Sequence, residues 1–440
     1  MASLILWVVL FSAARGQPSN PPKSGAPAPG SSLVLSLEDA RQTALTRNWD
    51  LLSARSGIDA ATAQLIIAKE FPNPTASWST ARIGTHEAGT VLGNSLWNRS
   101  YDTIAAVNQL IEIAGKRHDR QEAARAGIVG AKARFYDAER TLAQGVTKAY
   151  VVALLAAENA RVLGESAGYV EHEASIAQAQ FNAGDLSEAD KTTLQINAEQ
   201  FALQAKAAEA AAIQARIAVE VLMGVPQPEG RWTAGDSLEK LMSTSAEPPA
   251  AGEPEAERPD VLAAEADLRG GRAQLQLQKA VRIPDPTFTF GAEHNPPGGG
   301  PAVDTFLIGV TFPLPLWNRN GGNIRAARAA VDQFEEALGK TKTQAAADIA
   351  TAESSYREAH ERWLRYRDET APKSAKVREA IAFKYQRGAA TLVDLLNAEQ
   401  TDNAVRLALA QAMSDTASAA ADLAAARKVI SETELQRGTK

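Results

Sequence analysis

The chain contains no cysteine. Disulfides, thiolate metal sites and lipid attachment through a cysteine are therefore excluded. Aromatic residues supply only 6% of its 440 residues. A globular enzyme of this length usually carries a bulkier core. Alanine-rich helices suit long, thin helix pairs whose backbones approach closely. No stretch reaches the roughly 18 consecutive apolar residues of a membrane-crossing helix. Positive charge is not in excess either: the formal net charge is −6, which argues against a nucleic-acid footprint. Chemical motifs are absent too. There is no nucleophile elbow, phosphate loop or dinucleotide fingerprint, and "GGGP" at 298–301 opens no helix that would cradle a phosphate. Glu171, His172 and Glu173 are consecutive in a helical stretch and point in different directions. His118, His294 and His360 have no partner at ligand spacing. The chain is expected to be no enzyme, with no cofactor and no metal site.

What is present begins with "MASLILWVVLFSAARGQ". Its apolar run is too short to span a bilayer and ends in Ala14-Arg15-Gly16, a small-x-small cleavage pattern. Residues 1–16 read as a secretory signal, and 17–34, rich in Pro, Ser, Gly and Ala, as a disordered leader. A second loose stretch, "STSAEPPAAGEPEAERP" (243–259), splits the rest into two halves written to one plan. "NWDLLSARSGIDAATAQL" (48–65) lies over "RPDVLAAEADLRGGRAQL" (258–275). Each half then reaches a proline pair, "FPNPT" (71–75) and "IPDPT" (283–287). Next come "GKRHDRQEAARA" (115–126) and "NRNGGNIRAARA" (318–329), each opening a long helix. These helices end at "FNAG" (181–184) and "YQRG" (385–388), and a return helix follows each. The spacing predicts a first repeat over 35–242, a linker over 243–257, a second repeat over 258–431 and a tail over 432–440. The helix over 322–387 would be roughly 100 Å long, with Pro372 kinking it or changing its winding. The return helices should run to about 223 and 430.

Between the proline pairs and the long helices lie strand-like regions, about 75–113 and 287–312. In "TFTFGAEH" (287–294), Phe288, Phe290 and Ala292 share one face. In "TFLIGVTF" (305–312), Phe306, Ile308, Val310 and Phe312 do. This is alternation at period two, and "NPPGGGPAVD" between them reads as a long mobile loop. Two hairpins give four strands, too few to close a barrel. A small sheet packed on helices is one reading. A barrel closed by several chains, apolar outside and polar inside, is the other. At "FPLPLWNRNGG" (312–322), Pro313 and Pro315 stop ladder pairing and Trp317 suits an interfacial aromatic girdle. Asn320, Gly321 and Gly322 turn the chain into its helix, with Asn323 as cap.

With this doubled layout, the proline-marked transitions and the tip segments "FNAGDLSEAD" (181–190) and "YQRGAATLVD" (385–394), the sequence resembles the TolC-like outer-membrane efflux proteins over about residues 35–430. "QLIEIAGKR" (109–117) and "FPLPLWNRNGG" look most like their heavy-metal (cation) efflux branch. The resemblance implies a mainly α fold with a small β part, each repeat holding long coiled helices and a β-hairpin. It implies a homotrimer whose twelve strands form an outer-membrane barrel on an α-helical periplasmic tunnel, with a belt near 225–258 and the C-terminus. The function implied is a passive exit duct of a tripartite efflux system, with heavy-metal cations as a possible cargo. Its partners would be a periplasmic adaptor (membrane-fusion) protein and an inner-membrane resistance-nodulation-division pump.

The resemblance also implies site residues. Gly184, Asp185, Leu186 and Ser187, with Gly388, Ala389, Ala390 and Thr391, match the tip turns that dock the adaptor, where glycine permits the positive φ of a tight reversal. Asp394 matches an aspartate ringing the periplasmic entrance, where repelling carboxylates attract cations. The second aspartate of that pattern is Asn397 here, so a single ring and a weaker cation block are expected. Tyr385 and Asp190 match a pair that holds the entrance closed, and the companion arginine is Ala390. The alternative class is a periplasmic coiled-coil structural or adaptor protein, which cell fractionation would distinguish from an outer-membrane channel.

Overall fold

The computed structural model describes residues 33–83, 100–184, 186–244, 257–295 and 303–431. The signal, most of the leader, much of the linker, Asp185, most of the "NPPGGGPAVD" loop and the tail lie outside them. Strand β1 (Leu33–Leu35) leads to α1 (Leu37–Arg47) and α2 (Trp49–Lys69). Strands β2 (Thr75–Ile83) and β3 (Ser100–Leu110) precede α3 (Lys116–Ala183) and α4 (Glu188–Leu222). Strand β4 (Trp232–Ala234) and α5 (Leu238–Thr244) close the first half. The second half holds α6 (Pro259–Ala280), β5 (Thr287–Asn295), β6 (Val303–Thr311), α7 (Gly321–Arg365), α8 (Ala371–Gln386) and α9 (Leu392–Arg427). Each repeat is thus a helix, a hairpin, a long helix and a return helix, as the sequence indicates.

Local chemistry sets the boundaries. Asn48 caps α2 by accepting from the amides of Asp50 and Leu51 at 2.9 and 3.1 Å. The proline pairs fall in the gaps between α2 and β2 and between α6 and β5, where a missing N–H ends helix propagation. Helix α3 runs 68 residues without a break, about 100 Å at 1.5 Å per residue. Its repeat mate does not. Between α7 and α8 the backbone widens into a π turn, Tyr366–Thr370, with the Ala371 amide donating to Tyr366. Proline at 372 has no donor, so the ladder upstream re-registers by one residue; the change of winding falls where Pro372 indicates.

The largest hydrophobic cluster sits in a belt. Tyr150 and Val146 of α3 pack with Leu35, Trp232, Leu238 and Met242. The Tyr150 ring stacks on Trp232, and its hydroxyl donates to the Leu35 carbonyl at 2.8 Å. Strands β1 and β4 pair in parallel here. Elsewhere the wall is held by small patches built around alanine, such as Ala177 with Leu194 and Leu396.

Candidate functional site

The four long strands form one antiparallel sheet in the order β2-β3-β5-β6. Its registers give cross-strand rows. Ala76, Val107, Phe290 and Ile308 form one row, and Trp78, Ala105, Ala292 and Phe306 the next on the same face. Phe306 is 94% exposed and Ile308 75%, which a soluble sheet would not tolerate in such a contiguous patch. The row beyond is polar: Thr80, Thr103, His294 and Asp304, where His294 Nδ1 lies 2.6 Å from Asp304 Oδ1. The opposite face carries Thr75, Asn108, Thr289 and Gly309, then Ser77, Ala106, Gly291 and Leu307. Asn108 donates to Ser77 at 3.1 Å and accepts from Thr289 at 2.8 Å. A Cβ at Gly291 would lie 2.8 Å from the Ala106 Cβ, so only glycine fits this close approach of β3 and β5. The sheet is a plank with one mostly apolar face and one mostly polar face.

Two joints tie the plank to the long helices. In the first, Ala114 and Gly115 take φ of 62° and 79° just before α3. Lys116, almost wholly buried, lies 2.7 Å from Asp285 and donates to the Ile283 carbonyl at 2.5 Å. Asp285 also accepts from the Ile113 amide at 2.9 Å, and Arg120 pairs in bidentate fashion with Glu112. This charge network was not foreseen, although a single aspartate held between Pro284 and Pro286 was its visible signal. In the second joint Asn320 adopts φ 58°. Its side chain donates to the Gln278 carbonyl at 2.8 Å and accepts from Asn323 at 2.6 Å. Asn320 is therefore the residue at the cap position. Asn323 lies inside the first turn and braces it, because the left-handed residue, not the next polar one, ends the reversal. Trp317 beside it is fully exposed.

The tip lies at the other end. Gly184 and Gly388 have φ of 87° and 72°. The Gly388 amide donates to Tyr385 and the Ala389 amide to Lys384, the paired bonds of a glycine-terminated helix. Ser187 and Thr391 are the N-caps of α4 and α9. Asp190 and Asp394 sit three residues on, each accepting from its cap hydroxyl, at 2.7 Å in both cases. Asp394 also accepts from the Thr391 amide at 3.0 Å, and these two bonds hold its pKa below the ordinary value. No hydrogen bond joins Tyr385 to Asp190 within the protomer. Burial, with the charges of Glu173 and Asp190, raises the Tyr385 phenol. Asp394 and Asn397 line one open groove with Val377, Ile381 and Val405. Leu186 packs beside Leu392 against the Ala177 patch, and Ala389 and Ala390 stand at the turn.

Above the tip lies a polar cluster that sequence reading missed. Glu173 of α3 and Glu399 and Asp402 of α9 are buried, and Arg378 of α8 faces the last two. Glu171 and His172 face solvent while Glu173 does not, as their consecutive placement requires. The visible trace of the cluster was "NAEQ", written at 197–200 and again at 397–400. Among the described residues no group of three or more His, Asp or Glu could hold a metal ion, and no helix is long and apolar enough to cross a membrane.

The family described as "Outer membrane efflux protein" matches residues 40–225 and 252–427. The chain is 24% identical to the cobalt-zinc-cadmium resistance protein CzcC of Cupriavidus metallidurans, over 83% of this chain and 84% of that one. It is 26% identical to the pyoverdine export outer membrane protein OpmQ of Pseudomonas aeruginosa, over 66% and 64%. It is 28% identical to the nickel and cobalt resistance protein CnrC of Cupriavidus metallidurans, over 68% of each. In fold it is similar to the Campylobacter jejuni CmeC outer membrane channel (TM-score 0.72, 18% identity, 89% of this chain and 85% of that one). It is likewise similar to a membrane protein of Pseudomonas aeruginosa (TM-score 0.71, 19% identity, 93% and 99%). With the family matched across both repeats, the chain belongs to the outer membrane efflux proteins and is an outer-membrane exit duct with a periplasmic helical part.

Proposed function

We propose that three copies close into one barrel and tunnel that discharges divalent metal cations expelled by an inner-membrane pump of the resistance-nodulation-division type. The four-stranded plank carries this reading. Its free edges, β2 and β6, run antiparallel to each other, so copies can be added edge to edge without breaking the antiparallel order. Three planks supply twelve strands, a closed barrel with no edge left. The helices support the same closure. Helix α9 packs on α7 and α8 and also on α3, whereas its mate α4 packs substantially on α3 alone. Helix α4 leaves Ile196, Leu203 and Val221 exposed, an apolar side fit for α7 and α8 of the next copy.

Metal cargo is favoured by the metal-resistance names of CzcC and CnrC. The duct works passively and is no enzyme. At the tip, the turns around Gly184–Ser187 and Gly388–Thr391 would dock a periplasmic adaptor. Asp394 would ring the entrance with Asn397 above it, and Tyr385 with Asp190 would form its closing contact. Deleting the gene is expected to sensitise cells to cobalt, zinc and cadmium while leaving tolerance to dyes and detergents unchanged. Unaltered metal tolerance would overturn the cargo. OpmQ, a pyoverdine exporter by name, supports the second reading, an organic chelate; loss of chelator export in the same strain would favour it. A monomeric mass for the purified protein in mild detergent would overturn the closed barrel.

A further inference from the structure

We propose that the buried charge cluster where α8 and α9 meet α3 is a proton-sensitive latch, packed shut by mild acid and loosened toward neutral pH. Glu173, Glu399 and Asp402 are 7%, 3% and 4% exposed. Two of these carboxylates, Glu399 and Asp402, face one guanidinium, and Glu173 of α3 lies beside Tyr169 and Tyr385. Arg378 comes within 3.6 Å of Glu399 and 3.3 Å of Asp402. Neither contact is a hydrogen bond: Arg378 Nε and Glu399 Oε1 both lack a hydrogen-bond partner. Beside them Asn403 Nδ2 is unpaired, while its oxygen accepts from Ser166 at 2.5 Å. The Glu399 carboxylate, buried with one oxygen unpaired, is disfavoured as an anion and keeps its proton to higher pH.

The surroundings relieve Glu173 but not Glu399. On α3, burial, then the charges of Glu173 and Glu399 and a hydrogen bond to Glu173, hold the Tyr169 phenol up at about 12, so it stays neutral and donates to Glu173. Glu165 of α3 occupies Arg406 of α9 at 2.6 Å. On α8, Tyr385 is also held neutral, by burial with Glu173 and Asp190. For Glu399 itself, burial raises the pKa, Arg378 opposes, and Asp402 adds to the rise. The packed seam therefore keeps a proton at a pH where a parted, wetted seam has lost it. Between the ordinary carboxylate value and the raised one, falling pH favours packing and rising pH favours parting. Below the ordinary value both forms are protonated and the effect ends. The π turn Tyr366–Thr370 lies eight residues before Arg378 on the same rod, about 12 Å away, and gives α8 a place to tilt.

The latch belongs to the seam of the protomer and does not depend on the cargo. Because the chain lacks cysteine, Leu396→Cys places a unique reporter among Ala177 and Leu194 in the same seam. The readout is the maleimide labelling rate in the full-length protein, divided by the rate on the urea-unfolded chain at the same pH. This ratio is expected to rise about threefold or more from about pH 5.5 to about pH 7.5, where a one-proton linkage allows at most about tenfold per pH unit. Adding Glu399→Gln, which keeps the shape and removes the charge, should hold the ratio low at every pH; Asp402→Asn should act in the same direction. Arg378→Met should raise the ratio at about pH 7.5, since the cation facing Glu399 and Asp402 is gone while Arg406 is held by Glu165. A ratio independent of pH in the Leu396→Cys parent overturns the latch. So does a pH response that survives both Glu399→Gln and Asp402→Asn, or one that Asp394→Asn abolishes instead.

Discussion

The two halves of the wall share a plan and differ in how they carry load. Helix α3 is a single rod, whereas its mate is divided into α7 and α8 by a π turn. The α3–α4 pair rests on apolar and alanine contacts. The α8–α9 pair shares its inner side with a charge cluster, and the repeated "NAEQ" marks the contrast: Glu199 is exposed, Glu399 buried. At the joints the asymmetry is reversed. The first half is clamped by ions, Lys116 with Asp285 and Arg120 with Glu112, while the second turns on one left-handed asparagine. One half is built as a strut and the other as a hinged arm. Motion at the tip is therefore expected in α8 and α9, with α3 as the fixed reference.

The largest test of this contrast is at the ionic joint. Lys116→Met leaves the partly exposed Asp285 without its closest cation, a loss approaching the about 3–5 kcal/mol of a fully buried pair broken from one side. Heat-induced unfolding followed by circular dichroism would show it. A loss below about 1 kcal/mol, the range of a surface pair, would mean the clamp is not structural. The second joint should be gentler and conformational. Asn320→Gly is expected to be nearly neutral, whereas Asn320→Val should cost roughly 1–2 kcal/mol through the left-handed backbone alone. Equal effects of the two substitutions would place the role of Asn320 in its bonds to Gln278 and not in its backbone.

Much of this was legible in the sequence, for physical reasons that also explain the misses. Strand faces were visible because Phe290, Phe306 and Ile308 obey the two-residue period of a sheet with one apolar side. The layout was visible because it is written twice, and the winding change because Pro372 removes a donor wherever it sits. Asn323 is not the cap because capping preference is a statistical property of the residue, whereas the cap position is set by where the backbone leaves helical geometry, here at Asn320. The cluster around Glu399 stayed hidden because α9 is so rich in alanine that no polar stripe is distinguishable from an apolar one. Its burial depends on which helices flank it, and that is a property of the assembled wall.

The caps give a matched pair. Ser187→Ala and Thr391→Ala each remove one side-chain acceptor and should cost about 1 kcal/mol apiece. A cost confined to one of them would break the equivalence of the two tips.

The smallest effect on stability should come from the two capping aspartates, and they separate structure from function. Asp190 and Asp394 both stand three residues after a hydroxyl cap, so Asp190→Asn is an internal control for Asp394→Asn. Asp190→Asn alters the bond from the Ser187 hydroxyl, and Asp394→Asn alters the bonds from both the Thr391 hydroxyl and its amide. The cap bonds depress the Asp394 pKa. Its stabilisation is thus fully present above the ordinary aspartate value and is lost as pH falls through the depressed one. That is the opposite sense to Glu399, so acid weakens the cap while it closes the latch. If the carboxylates of three Asp394 side chains meet at the entrance, Asp394→Asn alone should weaken cation preference and divalent block in reconstituted bilayers. Asp190→Asn should leave both unchanged. The same shift in both variants would assign it to the loosened helix end, and no shift in either would remove the entrance ring, leaving Asp394 as the partner of the Thr391 cap.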